Sequence, residues 1–422
     1  MRIEKKTLKN NLRALLVHDV NSPSVTILAL VGIGSRYENK NASGLAHFVE
    51  HTIFKGTSKR PTSRKIGMDI ELLGGTSNAF TSYDYTGYYI KVPKHNAMQA
   101  FEILTDMVKN SLFAETEIEK ERGVISEEIR MYEDIPRAKI RQIFNSTLFR
   151  DNPLGRDIAG SIKSVAGLKR ETFLEFVEEN YTGENLLLSL GGGFDITEVE
   201  SFINDNYGDL SAGKKATFEK MSRVKLKKKV KFTTKKLEQT HIVMGGFGYQ
   251  RNFEKRFAYQ VGNAMLSSGF GSRLFQVLRD ELGLAYYVSS AISSFADIGR
   301  FTISMGVDNS KAVKAINAVI NELNNLKSGN FSGEELKRAK NFLIGSLTTQ
   351  LETSDDVASW YGLMALLKEE FLTSDEIIKK IAKVSQDEVI EVWREVLNND
   401  NLLITGLGPK SKVTGKDISD ID

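Results

Sequence analysis

Two imidazoles and a carboxylate stand close together in the run His47-Phe48-Val49-Glu50-His51. On an α-helix each residue advances about 100°, so His47 and His51 fall within roughly 40° of each other and can hold one metal ion between them. Glu50 lies on the flank of that face. Neutral imidazole is the commonest ligand for zinc, and a third protein ligand would leave the fourth position for water, as catalytic centres do. A carboxylate beside that water is a general base. Two ordinary histidines on an amphipathic helix would be the plainer reading. The chain has only five histidines, however, and two of them four apart with Glu at the intermediate position argues for a site.

The surrounding residues favour a helix. Ser43 is placed to cap its start and Gly56 stands just beyond its end. Leu45, Ala46, Val49 and Ile53 form an apolar stripe, with the histidines and Phe54 on the opposite side.

A third ligand is expected from the segment 117–132. Thr116 can cap a helix in which Ile118, Val124, Ile125, Ile129 and Tyr132 gather on one side. Glu121 and Glu128 differ by only about 20° around the axis and stand amid that stripe, whereas Glu127 points away. Carboxylates are rarely buried unless paired or bound to a cation, so helix phase selects Glu128 and Glu121 over their neighbours. Glu127 remains a contender, and a solvated acidic face is the alternative.

His47-x-x-Glu50-His51, followed by Glu128 inside EKERGVISEEI, resembles the pitrilysin and insulinase-type zinc peptidases, especially their short processing-peptidase-like branch. The resemblance implies that His47, His51 and Glu128 bind one zinc ion per chain, that Glu50 is the base, and that Glu121 supports the site. The run GGTSNAFT resembles the family's strand after the metal helix and implies substrate contacts at Asn78 and Ala79. The segment SSGFGSRLFQVLRDELGLAYYV resembles one in which an arginine and a tyrosine seven apart grip the substrate backbone, here Arg279 and Tyr286. GSRYE (34–38) and PLGRDIAGS (153–161) also look familial, so the likeness spans most of the chain. Ser267 and Ser268 stand where members often carry glycine.

The implied activity is hydrolysis of peptide bonds in extended or unfolded peptides, by a chain that acts as a homodimer. Each half would be an α+β domain with a mixed sheet covered by helices, so one chain would form half of a clamshell chamber. The rival reading is a non-catalytic or peptide-binding scaffold of the same fold. The presence of ligands, base, supporting acid and Arg–Tyr pair argues against it.

Composition sets bounds on these readings. A chain of 422 residues should divide into at least two domains. A formal charge of +3 is too small to imply a nucleic-acid partner. The absence of cysteine excludes disulfides, thiolate metal sites and a cysteine nucleophile. MRIEKKTLKNNLRALLVHD lacks the apolar core of a signal peptide, and no stretch reaches the length of a membrane span, so the cytoplasm is the expected compartment.

Strands are expected at 14–17, 24–31, 84–92 and 186–190. A lysine-rich stretch near 216–236, with Val224, Leu226, Val230 and Phe232 at strand spacing, reads as a linker and entry strand. The order of elements then restarts, with a strand at 241–246 and a helix near 257–268. The expected division is thus 1–215 catalytic, 216–240 linker and entry strand, and 241–422 substrate-gripping. The second half has no counterpart of the histidine pair. Gly191-Gly192-Gly193 and Gly32-x-Gly34 lack the residues of a phosphate loop and read as turns. His18, His95 and His241 read as structural, and Trp360, Tyr361, Met364 and Leu367 as core.

Overall fold

The computed structural model describes residues 1–367, 370–409 and 413–421. The run Ser24–Val31 is apolar almost throughout, and its two side-chain parities go to two different cores. Val25, Ile27, Ala29 and Val31 enter the larger cluster, while Leu28 and Leu30 join Leu15, Val17, Leu187, Ala358 and Tyr361. A strand apolar on both faces belongs inside a sheet covered on both sides.

It is β3 of a six-stranded sheet with β1 (Arg2–Thr7), β2 (Arg13–His18), β4 (Thr76–Thr81), β5 (Thr86–Pro93) and β6 (Leu186–Gly192). The spatial order is β1-β2-β6-β3-β5-β4. Only β2 and β6 run parallel; the other neighbours are antiparallel.

A second sheet contains β7 (Lys229–Thr234), β8 (Gln239–Gly248), β9 (Ala285–Ser294), β10 (Gly299–Asp308) and β11 (Leu403–Gly408), in the order β7-β11-β8-β10-β9. Here β7 and β11 are the parallel pair and the rest are antiparallel. This is the order of β2-β6-β3-β5-β4, strand for strand. The helices repeat as well, since Ala97–Asn110 follows β5 and Ala312–Ser328 follows β10, each after one turn of 3-10 helix. The fold is α+β, with two mixed sheets covered by helices.

The two compact units are not consecutive halves of the chain. The first comprises 1–131, 156–219 and 350–371, and the second 132–155, 220–349 and 372–421 among the described residues. The helix Ser354–Leu366 lies on β3 and β6 of the first sheet, whereas Pro136–Leu148 lies on β8 and β11 of the second. A cut near residue 216 therefore leaves one helix on the wrong side in each direction. The main changeover, between Glu219 and Lys220, falls inside the lysine-rich stretch. Regular strand structure there begins only at Lys229, so Val224 and Leu226 precede β7 rather than forming part of it.

Helix 354–366 explains the glycine run differently from a turn. Gly191 and Gly192 end β6, and a side chain at Gly191 would lie 2.6 Å from the Ser354 carbonyl oxygen, so close docking of this helix needs glycine there. Tyr361 and Met364 are buried, as expected of core residues. Among the described residues no helix is long and apolar enough to cross a membrane.

Candidate metal centre

The histidine helix spans Leu45–Ile53 and buries Leu45, Ala46, Phe48, Val49, Thr52 and Ile53. Phe48 meets Phe173 edge to face at 4.8 Å. Ser43 does not cap the helix. Gly44 is the N-cap, with φ of 97°, and the Gly44 and Ala46 amides donate to the two carboxylate oxygens of Glu38 at 2.8 and 2.7 Å. Gly56 follows the C-terminus with φ of 149°.

The acidic helix spans Glu115–Asp134. Thr116 lies within its first turn, and the Ala114 carbonyl accepts from the Glu117 and Ile118 amides. The buried face is Ile118, Glu121, Ile125 and Ile129. Val124 and Tyr132 do not share it, being 51% and 47% exposed. The stripe is narrower than the sequence suggests because only one side of the helix meets the core. Glu127 is exposed and pairs with Arg130.

His47, His51 and Glu128 present one ligand atom each within 4.8 Å of one another, and form the one such group found among the described residues. The Nε2 atoms of His47 and His51 lie 3.8 and 3.6 Å from Glu128 Oε2. Tetrahedral zinc with bonds of about 2.0–2.1 Å spaces its ligand atoms by roughly 3.3 Å, so each imidazole lies within about half an ångström of that spacing from Glu128, and the two-imidazole, one-carboxylate donor set suits the ion.

His51 Nδ1 lies 3.2 Å from one oxygen of Glu121, whose other oxygen takes Lys55 Nζ at 2.8 Å. A carboxylate at Nδ1 fixes the proton there and leaves Nε2 as a lone-pair donor toward the metal position. Burial, and then the neighbouring His51, push the His47 imidazole down to about 4, which keeps it neutral and able to ligate. Its Nδ1 is buried without a hydrogen-bond partner.

Glu50 stands beside this group and accepts a hydrogen bond from the Thr81 hydroxyl. Burial raises the Glu50 carboxyl above its ordinary value. Thr81 and His51 pull it down, and Glu128 adds to the rise. The result is a carboxylate more basic than usual, as a general base requires.

Thr81 is the last residue of β4, the edge strand that carries Asn78 and Ala79. Those two pair with Tyr89 and Tyr88 of β5. The Ala79 amide donates to the Asn78 side-chain oxygen at 2.9 Å. The first unit thus brings together His47, Glu50, His51, Glu121 and Glu128 with an edge strand beside them.

Arg279 and Tyr286 belong to the second unit. Arg279 is exposed on the π-helical turn Gln276–Glu281, and Tyr286, 59% exposed, is near the start of the edge strand β9. Ser267 ties its helix to that strand through the Ser290 hydroxyl at 2.8 Å.

Three contributors escaped sequence reasoning: Thr81, Lys55 and Glu38. Lys55 carried a usable signal, standing four residues after His51 and hence at nearly the same helical phase. Of the remaining histidines, His241 Nδ1 meets the Tyr287 hydroxyl at 3.0 Å and His18 packs edge to face on Phe194.

The profile of the family described as Insulinase (Peptidase family M16) matches residues 13–161, and that described as Peptidase M16 inactive domain matches 167–343. The chain belongs to the M16 peptidase family. This M16 chain is 32% identical over 404 residues to an uncharacterized zinc protease of Bacillus subtilis, YmxG, covering 95% of this chain and 97% of that one. It is also 32% identical over 397 residues to an uncharacterized zinc protease of Rickettsia felis, covering 93% and 94%. A crystal structure of a protease from Helicobacter pylori shares its fold, with a TM-score of 0.89 at 21% identity over 97% of this chain and 99% of that one. In the second half, the helix Arg256–Ser267 follows β8 as the histidine helix follows β3, and it carries no histidine and no acid.

Proposed function

We propose that this M16 chain is a zinc metalloendopeptidase that hydrolyses peptide bonds in extended or unfolded peptides. The observation that carries this reading is the convergence of His47 Nε2, His51 Nε2 and Glu128 Oε2 beside the carboxylate of Glu50.

His47, His51 and Glu128 would hold the zinc ion, which would supply a water of lowered pKa and a Lewis acid for the scissile carbonyl. Glu50 takes the attacking water's proton and returns it to the leaving amine. Thr81 holds Glu50 in place, and Glu121, itself held by Lys55, orients His51. The substrate adds to the open edge of β4 near Asn78 and Ala79 through main-chain hydrogen bonds, which ask little of its sequence. Arg279 and Tyr286 grip the substrate backbone. Following the short branch that the chain resembles, two copies form the working chamber as a cytoplasmic homodimer, with Arg279 and Tyr286 serving the partner's metal centre.

The test is cleavage of a quenched, unstructured peptide by the purified protein, with and without chelator, beside Glu50→Gln. Cleavage that chelator stops, zinc restores and Glu50→Gln abolishes at normal zinc content supports the reading. Zinc retained without cleavage of any unstructured peptide overturns it in favour of a binding scaffold.

A further inference from the structure

The histidine helix is only nine residues long, so it has about two and a half turns in which to place three chemical side chains. His47 is its third residue. Glu128 comes from a separate helix, so the fit of the ligand set depends on where the histidine helix starts and how it is rotated. Whatever holds that start holds the metal centre.

The start is held by Glu38, which lies nine residues before His47 and whose carboxylate bonds the helix backbone. Glu38 is 6% exposed, and each of its carboxylate oxygens accepts one amide of the helix start, from Gly44 and from Ala46. The first amides of a helix lack intrahelical partners, and a carboxylate there meets both their hydrogen-bonding need and the positive end of the helix dipole.

Glu38 is itself fixed. Its backbone carbonyl accepts from the Arg156 guanidinium at 2.7 Å. The segment after Arg156 then crosses the helix start backbone to backbone. A side chain at Gly44 would lie 2.5 Å from the Ala159 carbonyl oxygen, and one at Gly160 would lie 2.3 Å from that of Ser43. The two short runs GSRYE and PLGRDIAGS are therefore the two jaws around one helix end. Burial raises the Glu38 carboxyl above its ordinary value, whereas the Ala46 and Gly44 amides and Arg156 pull it down and favour the ionised form that two accepting oxygens require. A buried carboxylate on a structural loop is costly, and a neutral cap such as Ser or Asn would satisfy one amide without that cost.

We propose that Glu38 is a positioning residue of the metal centre, setting through the Gly44 and Ala46 amides the placement of His47, Glu50 and His51 against Glu128. The proposal rests on the metallopeptidase reading above, but its first readout does not need peptidase activity.

The decisive variant is Glu38→Gln. It keeps the shape and one acceptor oxygen but turns an NH2 group toward a backbone amide, so two donors face each other. The variant and wild type are loaded with Co2+ in place of zinc, and their visible spectra and chelator-competition affinities are compared. Zinc-loaded samples are assayed for kcat and KM on the quenched peptide. The expected result is an altered cobalt spectrum, metal affinity weaker by about 10 to 100-fold, and a fall in kcat of similar size with little change in KM. Glu38→Asp, one methylene short of both amides, restores little.

If Glu38→Gln does not fold, Arg156→Lys, which leaves the carboxylate in place and loosens its backbone, is measured instead, with the same changes expected at smaller size. A folded Glu38→Gln with the wild-type cobalt spectrum and affinity overturns the proposal. So does a folded Arg156→Lys with wild-type values where Glu38→Gln cannot be made. Wild type that binds metal but cuts no peptide defeats the functional reading alone, since spectrum and affinity still report on Glu38.

Discussion

The Thr81 hydroxyl donates its hydrogen to the Glu50 carboxylate, so the proposed base is tied to the strand whose edge lies open beside it. The same strand carries Asn78 and Ala79. One hydrogen bond thus couples the position of the base to the position of a chain added along β4.

Thr81→Val removes that bond with little change of shape. The bond lowers the Glu50 pKa against the effect of burial, so its loss raises the pKa further. The acid limb of the kcat/KM profile should move to higher pH, because cleavage needs the ionised base. A hydrogen bond to a charged group is worth about 1.5–3 kcal/mol, so kcat should fall roughly ten- to hundredfold. An unmoved acid limb would count against Glu50 as the base.

Glu121→Gln leaves the His51 Nδ1 position without its carboxylate and Lys55 without its partner. Zinc affinity measured by chelator competition should weaken by about 10 to 100-fold. Glu127→Gln, at an exposed residue paired with Arg130, should change it by less than about twofold.

His47 makes the metal-free protein sensitive to acid. Its folded value of about 4 lies below the ordinary 6.5, so between those values the unfolded chain binds more protons. Stability from this group is complete above about pH 6.5 and is lost as pH falls toward 4. Denaturant unfolding of metal-free wild type and His47→Gln across that range isolates the effect, since other groups cancel in the difference. Wild type should lose stability relative to the variant as pH falls, and a difference independent of pH would contradict the shift.

Tyr361 is fully buried against Leu28 and Leu30 of β3, although it lies in the last quarter of the chain. Tyr361→Ala should cost about 3 kcal/mol. Hydrogen exchange should show the loss in the amides of β3 and β6, the strands beneath its helix.

Glu50→Gln and Arg279→Ala should each be inactive alone. If Arg279 serves the partner's centre, mixing them regenerates some sites with both residues intact. Activity should return on mixing and subunit exchange, and its absence at every mixing ratio would speak against action in trans.

The sequence by itself determined what depends on near neighbours. Helix phase alone put His47 and His51 on one face with Glu50 beside them, and separated Glu121 and Glu128 from Glu127, because angle around a helix depends only on residue count. The apolar run at 24–31 likewise announced a strand, while its burial on both faces came from the two cores that the folded chain sets against it. The cap on the histidine helix was not legible, because the best local candidate, Ser43, lost to a carboxylate six residues before Gly44 that only loop geometry delivers. Nor was the exposure of Val124 and Tyr132, which share an apolar character with Ile125 but meet no core. The meeting of Glu128 with two imidazoles some eighty residues earlier, Thr81 on Glu50, and the two helices that cross to the other unit's sheet were decided by tertiary packing alone. Local periodicity states which face a side chain takes, and only the packed chain states what that face meets.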